Sequence, residues 1–168
     1  MSIDFVIRRE RPDQPDVIVL IEALDAYLAT LYAPEANHLM DVQALLAPEV
    51  HFLVAREAAA SAGGQPGRAV GTAAFRRMPA EGETGQLPFG EIKRMMVLPT
   101  ARGQGIAQRL LQALEADMRE DGLPLALLET GLEQTEAVRL YERNGYTRRG
   151  LFGGYPDNGL SVFYEKRL

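Results

Sequence analysis

The sequence predicts a single α+β domain over residues 1–168, in which helices flank a β-sheet. The length is that of one ordinary domain with one sizeable core. Apolar residues make up 46% of the chain and charged residues 24%, which is typical of a soluble globular protein. Segments with helical three- and four-residue spacing lie among short apolar segments bounded by glycine and proline. This mixture favours an α+β domain, and the sequence has no internal repeat or clear domain boundary.

The first half of the chain predicts three strands and two helices. A strand over Ile3–Arg9 ends at the two prolines of RPDQPD. The segment DVIVLIEALDAYLATLY has apolar residues at helical spacing, with Asp16 as the expected N-cap. A shorter helix in HLMDVQALLAP stops at Pro48. The strands VHFLVARE and RAVGTAAFRRM follow, joined by the small-residue connection AAASAGGQPG.

The second half alternates strands and helices. EIKRMMVL predicts a central strand covered on both faces, because its polar and apolar residues do not alternate cleanly. The next helix is amphipathic, with Ile106, Leu110, Leu114 and Met118 on one face and Glu115 among the polar residues opposite. A buried strand in GLPLALLETG, a short helix in QTEAVRLYERNG and two strands, YTRRGLF and LSVFYEKRL, follow.

The stretch VLPTARGQGIAQRLLQAL, from Val97 to Leu114, places two glycines between a strand and a helix. The first N–H groups of a helix are unpaired and that end of its dipole is positive, so a glycine turn there forms an anion site. Arg102 adds a full positive charge. Gly103 and Gly105 allow a diphosphate to approach the backbone. We therefore predict a site for a phosphorylated cofactor.

Three classes of phosphate-binding loop compete for this stretch. The nucleotide P-loop is excluded because no lysine follows the glycines. A dinucleotide fingerprint fits Gly103 and Gly105, with Glu129 as the ribose-binding acid, but Gln108 replaces its third glycine. The loop also lies past the midpoint of the chain, which leaves too little sequence for a full dinucleotide sheet. Coenzyme A is the third class.

Two motifs favour the coenzyme A class. RGQGIA matches the signature R/Q-x-x-G-x-G/A at Arg102, Gly105 and Ala107, and EAVRLYERNGY follows about 30 residues later. Together they resemble the GCN5-related N-acetyltransferases, and LYAPEANHLMD and GGYPDNGLSVFYEK resemble a subgroup of small bacterial members. The resemblance covers nearly the whole chain. It implies a mixed, mostly antiparallel sheet of about seven strands with about four helices, splayed between the fourth and fifth strands near Val97 and Leu127.

The resemblance implies acetyl-CoA as the cosubstrate and no metal. The main chain from Gly103 to Ala107 would hold the pyrophosphate, and the strand at Met96 and Val97 would pair with the pantetheine amides. Gln134 stands where the family often has an asparagine that contacts the cofactor. The implied cofactor-binding residues are Met96, Val97, Arg102, Gly103, Gln104, Gly105, Ile106, Ala107 and Gln134.

The resemblance also implies direct attack of an amine on the thioester. Glu91 occupies the family's base position and Tyr141 its general-acid position, so both are predicted to be catalytic. Lys93, two residues on, could pair with Glu91. Glu129 is a second candidate base or a substrate contact. The candidate acceptor-site residues are Tyr32, Glu35, Asn37, His38, Glu129 and Tyr155.

Composition limits the other classes of function. The absence of cysteine excludes disulfides, thiolate zinc sites and a cysteine nucleophile. The net charge of -5 argues against nucleic acid, and no segment approaches the ~20 apolar residues of a membrane span, so we expect a cytoplasmic protein. The expected partner is a small-molecule primary amine. A homodimer, a protein N-acetyltransferase, a CoA-binding regulator without catalysis and a small dinucleotide-binding module stay open.

Overall fold

A computed structural model describes residues 4–58 and 64–168 and shows helices on both faces of one seven-stranded sheet. The strands are β1 (Phe5–Arg9), β2 (Val50–Glu57), β3 (Ala69–Met78), β4 (Phe89–Val97), β5 (Leu125–Gly131), β6 (Thr147–Arg149) and β7 (Ser161–Arg167). The helices are α1 (Pro15–Leu31), α2 (Val42–Leu45), α3 (Ile106–Glu120) and α4 (Thr135–Arg143). Ile3 and part of the predicted connection 58–67 lie outside the described residues.

The strands run across the sheet in the order β1-β2-β3-β4-β5-β7-β6. Neighbouring strands are antiparallel except β4 and β5, which are parallel. A parallel pair needs a crossover connection, and here α3 supplies it. The predicted mixed, mostly antiparallel sheet of seven strands with four helices is therefore confirmed.

Two apolar clusters cover the two faces of the sheet. On one face, Leu110 and Leu114 of α3 pack with Phe75 of β3, and α4 joins the same cluster. On the other face, Leu20 of α1 packs with Phe52 of β2. Burying each such side chain contributes roughly 1.5–3 kcal/mol. Both α1 and α3 contact β4, which confirms the prediction of a strand covered on both faces.

Two predictions about helix residues are wrong. The N-cap of α1 is Gln14, and Asp16 lies in the first turn, because Pro15 lacks an N–H and suits the first helical position. The Asp16 carboxylate instead accepts a hydrogen bond from the Arg56 guanidinium at 2.6 Å. Glu115, predicted on the polar face of α3, is buried and accepts from Nζ of Lys166 in β7 at 2.5 Å. Within the described ranges, no helix combines the length and apolarity that a membrane crossing requires.

Candidate active site

A cleft opens where β4 and β5 separate. The two strands pair only at Gly90 with Ala126 and at Glu91 with Leu127, and no later β4 residue among those described pairs with β5. The predicted splay near Val97 and Leu127 is confirmed. The cleft is lined by α1 with the connection 36–40, by residues 93–95 and 129–131, and by Gln134, Ala137 and Tyr141.

The β4 wall of the cleft is shaped by a bulge. The register with β3 shifts between Thr72 and Ala74, and Arg94 adopts φ 57, which is unusual for a residue with a Cβ. Hydrogen bonds hold this conformation: Thr72 Oγ1 donates to the Arg94 carbonyl at 3.0 Å, and the Arg94 guanidinium donates to the Met40 carbonyl at 2.5 and 2.8 Å. The same guanidinium pairs with Asp25 of α1. Arg94 therefore joins the bulge to the opposite wall.

The glycine loop has the geometry of an anion-binding turn. Gly103 and Gly105 both have φ 77, and apart from the adjoining residues no described atom lies within 4 Å of where a Cβ would stand on either. Gly105 is the N-cap of α3 and provides no capping side chain. The first N–H groups of a helix have no intrahelical partner, so they point toward the loop. Open space above exposed main-chain donors fits a phosphate group.

The other predicted cofactor residues lie around this loop, and they differ in whether the side chain or only the main chain faces it. Arg102 Nε donates to the Val97 carbonyl at 3.0 Å, and its guanidinium lies 3.8 Å from the Glu136 carboxylate of α4. Gln134 is the N-cap of α4 and lines the cleft. The side chain of Ile106 is buried in the core, so only its main chain faces the loop. The remaining members are Met96 and Val97 at the end of β4 and Gln104 and Ala107 beside the glycines.

Glu91 is buried behind the cleft and does not line it. Its Oε1 lies 2.7 Å from Lys93 Nζ, as predicted, and accepts from the Tyr155 hydroxyl at 2.6 Å. Its Oε2 lies 3.5 Å from the Arg76 guanidinium. Lys93 also donates to the Tyr155 hydroxyl. Burial, followed by the charge of Glu91, raises the pKa of Tyr155, so this hydroxyl keeps its proton.

Glu129 and Tyr141 both line the cleft. Burial raises the pKa of the Glu129 carboxyl. A hydrogen bond with the Ser161 side chain and the positive charge of Lys93 lower this pKa and partly offset the effect of burial. Burial also raises the pKa of the Tyr141 hydroxyl, and the charge of Glu129 adds to that effect. The cleft thus holds a carboxylate that takes up a proton more readily than usual and a phenol that retains one.

The acceptor-site candidates divide into three groups. Asn37 and His38 line the cleft, and so does Tyr32, whose hydroxyl accepts from the Glu133 N–H at 2.8 Å. Gly131 is required beneath that ring, since a Cβ there would stand 2.0 Å from the Tyr32 hydroxyl. Glu35 is exposed in a short 3-10 turn and does not reach the lining. Tyr155 lies against Glu91 instead, in a second cavity beside the cleft.

Arg76 and Arg94 are site residues that the sequence did not indicate. Arg76 reaches Glu91 only because β3 and β4 pair in a register that places the two residues opposite each other. Arg94 reaches Met40 and Asp25 only because of the bulge. Neither arginine belongs to a motif, so no signal in the sequence could have singled them out.

The chain is similar to known acetyltransferases over most of its length. The family model described as "Acetyltransferase (GNAT) family" matches residues 20–146. The chain is 45% identical over 162 residues to the IAA acetyltransferase of Azospirillum brasilense, covering 96% of this chain and 97% of that protein. A crystal structure from Klebsiella pneumoniae, assigned to the acyl-CoA N-acyltransferases, is 36% identical with a TM-score of 0.73 and coverage of 98% and 97%.

A coenzyme A complex of the PaiA N-acetyltransferase from Thermoplasma acidophilum shares the fold. Its TM-score is 0.68 at 16% identity, with 99% of this chain and 100% of that chain covered. The family match, the high coverage of the Azospirillum relative and the splayed sheet agree with one another. This chain therefore belongs to the GNAT family of acetyltransferases and is an acyltransferase.

Proposed function

We propose that the chain transfers an acetyl group from acetyl-CoA to a primary amine of a small molecule, by direct attack with both substrates bound. One observation carries the proposal: Glu129 and Tyr141, both with raised pKa values, line the same cleft between the parted strands. An amine acetylation needs a proton acceptor for the amine and a proton donor for the leaving thiolate. The two side chains provide this pair.

The glycine loop is the proposed pyrophosphate site. The φ values of Gly103 and Gly105 and the open space above them leave the main-chain donors at the start of α3 accessible. Gln134 extends the site from α4 into the cleft. Acetyl-CoA, when bound, supplies an activated acetyl thioester. The coenzyme A complex of the Thermoplasma protein, which has the same fold, is consistent with this assignment.

Glu129 is favoured over Glu91 as the proton acceptor. An alkyl ammonium has no lone pair to attack with, so a carboxylate must remove its proton directly or through water. Glu129 lines the cleft and its pKa is raised, which brings it closer to the pH at which the reaction runs. Glu91 is buried against Lys93 and Tyr155, outside the lining. We assign Glu91 a positioning role.

Tyr141 is the proposed proton donor. Its hydroxyl makes no hydrogen bond with any residue in the ranges 4–58 and 64–168, although the side chain is buried. Its raised pKa keeps the proton on the oxygen, so the hydroxyl is available to donate a hydrogen bond to the thiolate as that group leaves. Residues 36–40 of the α1–α2 connection line the same cleft as Tyr141, which favours a small acceptor over a protein surface.

The test is release of free CoA thiol from acetyl-CoA with a panel of primary amines, with the acetylated product identified by mass. We expect Glu129→Gln to lower kcat by roughly 100-fold and Glu133→Gln, an exposed glutamate nearby, to leave it unchanged. Acetyl-CoA binding without turnover of any amine would indicate a regulator. Turnover of peptides alone would indicate a protein N-acetyltransferase, and loss of kcat in Glu91→Gln but not Glu129→Gln would contradict the choice of base.

A further inference from the structure

A second cavity adjoins the main cleft. His38, Leu39, Met40 and Lys93 line both spaces, so the two meet along a shared wall. The second cavity adds Arg76 from β3 and the turn at residues 153–156 before β7. A ligand held in the main cleft could therefore extend a side group into this space.

The lining of the second cavity is positively charged. Among the described residues, its ionisable side chains are Arg76, Lys93, His38 and Tyr155, and none is a carboxylate. The buried carboxylate behind them, Glu91, balances one of the two permanent cations.

The nearby acidic groups lie elsewhere. Glu81 caps the Gly153 N–H at 2.7 Å without lining the second cavity, and Glu129 lines only the main cleft. Glu129 acts on Lys93 by charge from the main cleft, whereas the ion-pair partner of Arg76 among the described residues is Glu91, at 3.5 Å and shared with Lys93.

Arg76 has the hydrogen-bond donors that a ligand could use. Lys93 already forms an ion pair with Glu91 and donates hydrogen bonds to the Tyr155 hydroxyl and the His38 carbonyl. The Arg76 guanidinium makes no hydrogen bond with any described residue: its approach to Glu91 is 3.5 Å, and its Nε is buried without a partner. Its side chain is 34% exposed. A guanidinium presents a planar fork of donors that matches a carboxylate.

We propose that the second cavity binds a carboxylate of the acceptor, with Arg76 as its anchor. The acceptor is then an amine that also carries a carboxylate, as an amino acid does. Leu39 and Leu160, exposed apolar residues that line the main cleft, would contact an apolar body of such a molecule. The identification of the ligand as the acceptor rests on the proposed function, whereas the anion site itself does not.

The test compares matched ligands with and without the carboxylate. L-phenylalanine is paired with L-phenylalaninamide and 2-phenylethylamine, and L-leucine with L-leucinamide. Values of kcat/KM come from CoA thiol release, and binding is measured separately by titration calorimetry. Arg76→Gln is compared with Arg77→Gln, the next residue of β3, which pairs with Asp121 away from both cavities. Variant-to-wild-type ratios cancel the different intrinsic reactivities of the amines.

We expect Arg76→Gln to lower kcat/KM and affinity for the carboxylated ligands roughly 10- to 100-fold, while the amides and the plain amine change little. Arg77→Gln should affect neither class. An equal loss for both classes, or none, would overturn the subsite. Acetylation of other amines without binding of any carboxylate would overturn the subsite alone. Arg76-dependent carboxylate binding without turnover of any amine would overturn the proposed function alone, and absence of both binding and turnover would overturn both.

Discussion

A carboxylate placed in the glycine loop tests whether that loop binds the cofactor phosphates. Gly105 has φ 77, and beyond the adjoining residues no described atom lies within 4 Å of a Cβ, so Gly105→Glu has room for its Cβ but forces a left-handed backbone on a residue with a side chain. That strain lowers the free energy of unfolding by about 1–2 kcal/mol. The corresponding loss in Tm is roughly 2–8 °C, at about 2–4 °C per kcal/mol for a chain of this size.

The added charge has a separate effect on cofactor binding. A carboxylate about 4 Å from a phosphate charge costs about 1 kcal/mol in water and about 4 kcal/mol at the effective dielectric of a protein surface. The affinity for CoA should therefore fall between roughly 5-fold and 1000-fold. Titration calorimetry with CoA measures this loss, and urea unfolding measures the stability.

Two controls separate charge from strain. Gly105→Gln has the same size and the same backbone requirement without the charge, so it should lose stability to the same extent and less affinity. Gly122→Glu carries the charge at φ 72, again in open space, but beyond the opposite end of α3. It should lose stability and keep its affinity for CoA. Equal affinities in Gly105→Glu and Gly122→Glu would refute the placement of the cofactor site.

Three further perturbations test the site and the fold. Tyr141→Phe should lower kcat about 100-fold with Tm and CoA affinity unchanged, and a normal kcat would remove Tyr141 as the proton donor. Glu91→Gln leaves the largely buried Lys93 and the partly exposed Arg76 without their shared counter-charge, so urea unfolding should show a loss of about 3 kcal/mol in the free energy of unfolding. Burial raises the pKa of Glu10, but hydrogen bonds from Arg56 outweigh it and keep that pKa below 4.5, and they lower the pKa of Asp16 below 3.8. The stabilisation that these two lowered pKa values provide is complete above about pH 4.5 and is lost as the pH falls. The free energy of unfolding should therefore fall less steeply with decreasing pH in Arg56→Gln than in the wild type.

The sequence predicted the parts of the fold that depend on local chemistry. The apolar spacing of α3 and the glycines before it require only neighbours along the chain, and both are as predicted. The error at Glu115 has a distant cause, because Lys166 reaches it from β7 and makes burial of the carboxylate tolerable. The error at Asp16 has a local cause, because Pro15 occupies the first helical position and makes Gln14 the N-cap.

The chemistry of the site depended still more on distant contacts. Glu91 occupies the predicted strand, but its value as a base depends on what surrounds it. The hydroxyl of Tyr155, 64 residues later in the sequence, donates a hydrogen bond to it. Glu129, the second candidate base in the sequence analysis, lines the cleft because β5 separates from β4 at that point. Which of the two glutamates faces the cleft cannot be predicted from residue spacing within one motif.

The short junction between β4 and β5 has a consequence for how the molecule holds together. Within the described residues, strand pairing between β1–β4 and β5–β7 consists of two residue pairs. The two sets of strands are therefore held together largely by side-chain contacts and by the helices that pack across the junction. A cofactor in the gap would form hydrogen bonds with both β4 and β5 and would therefore connect the two sets of strands. Slower amide hydrogen exchange in β4 and β5, the two strands that border the gap, would then report that a ligand occupies it.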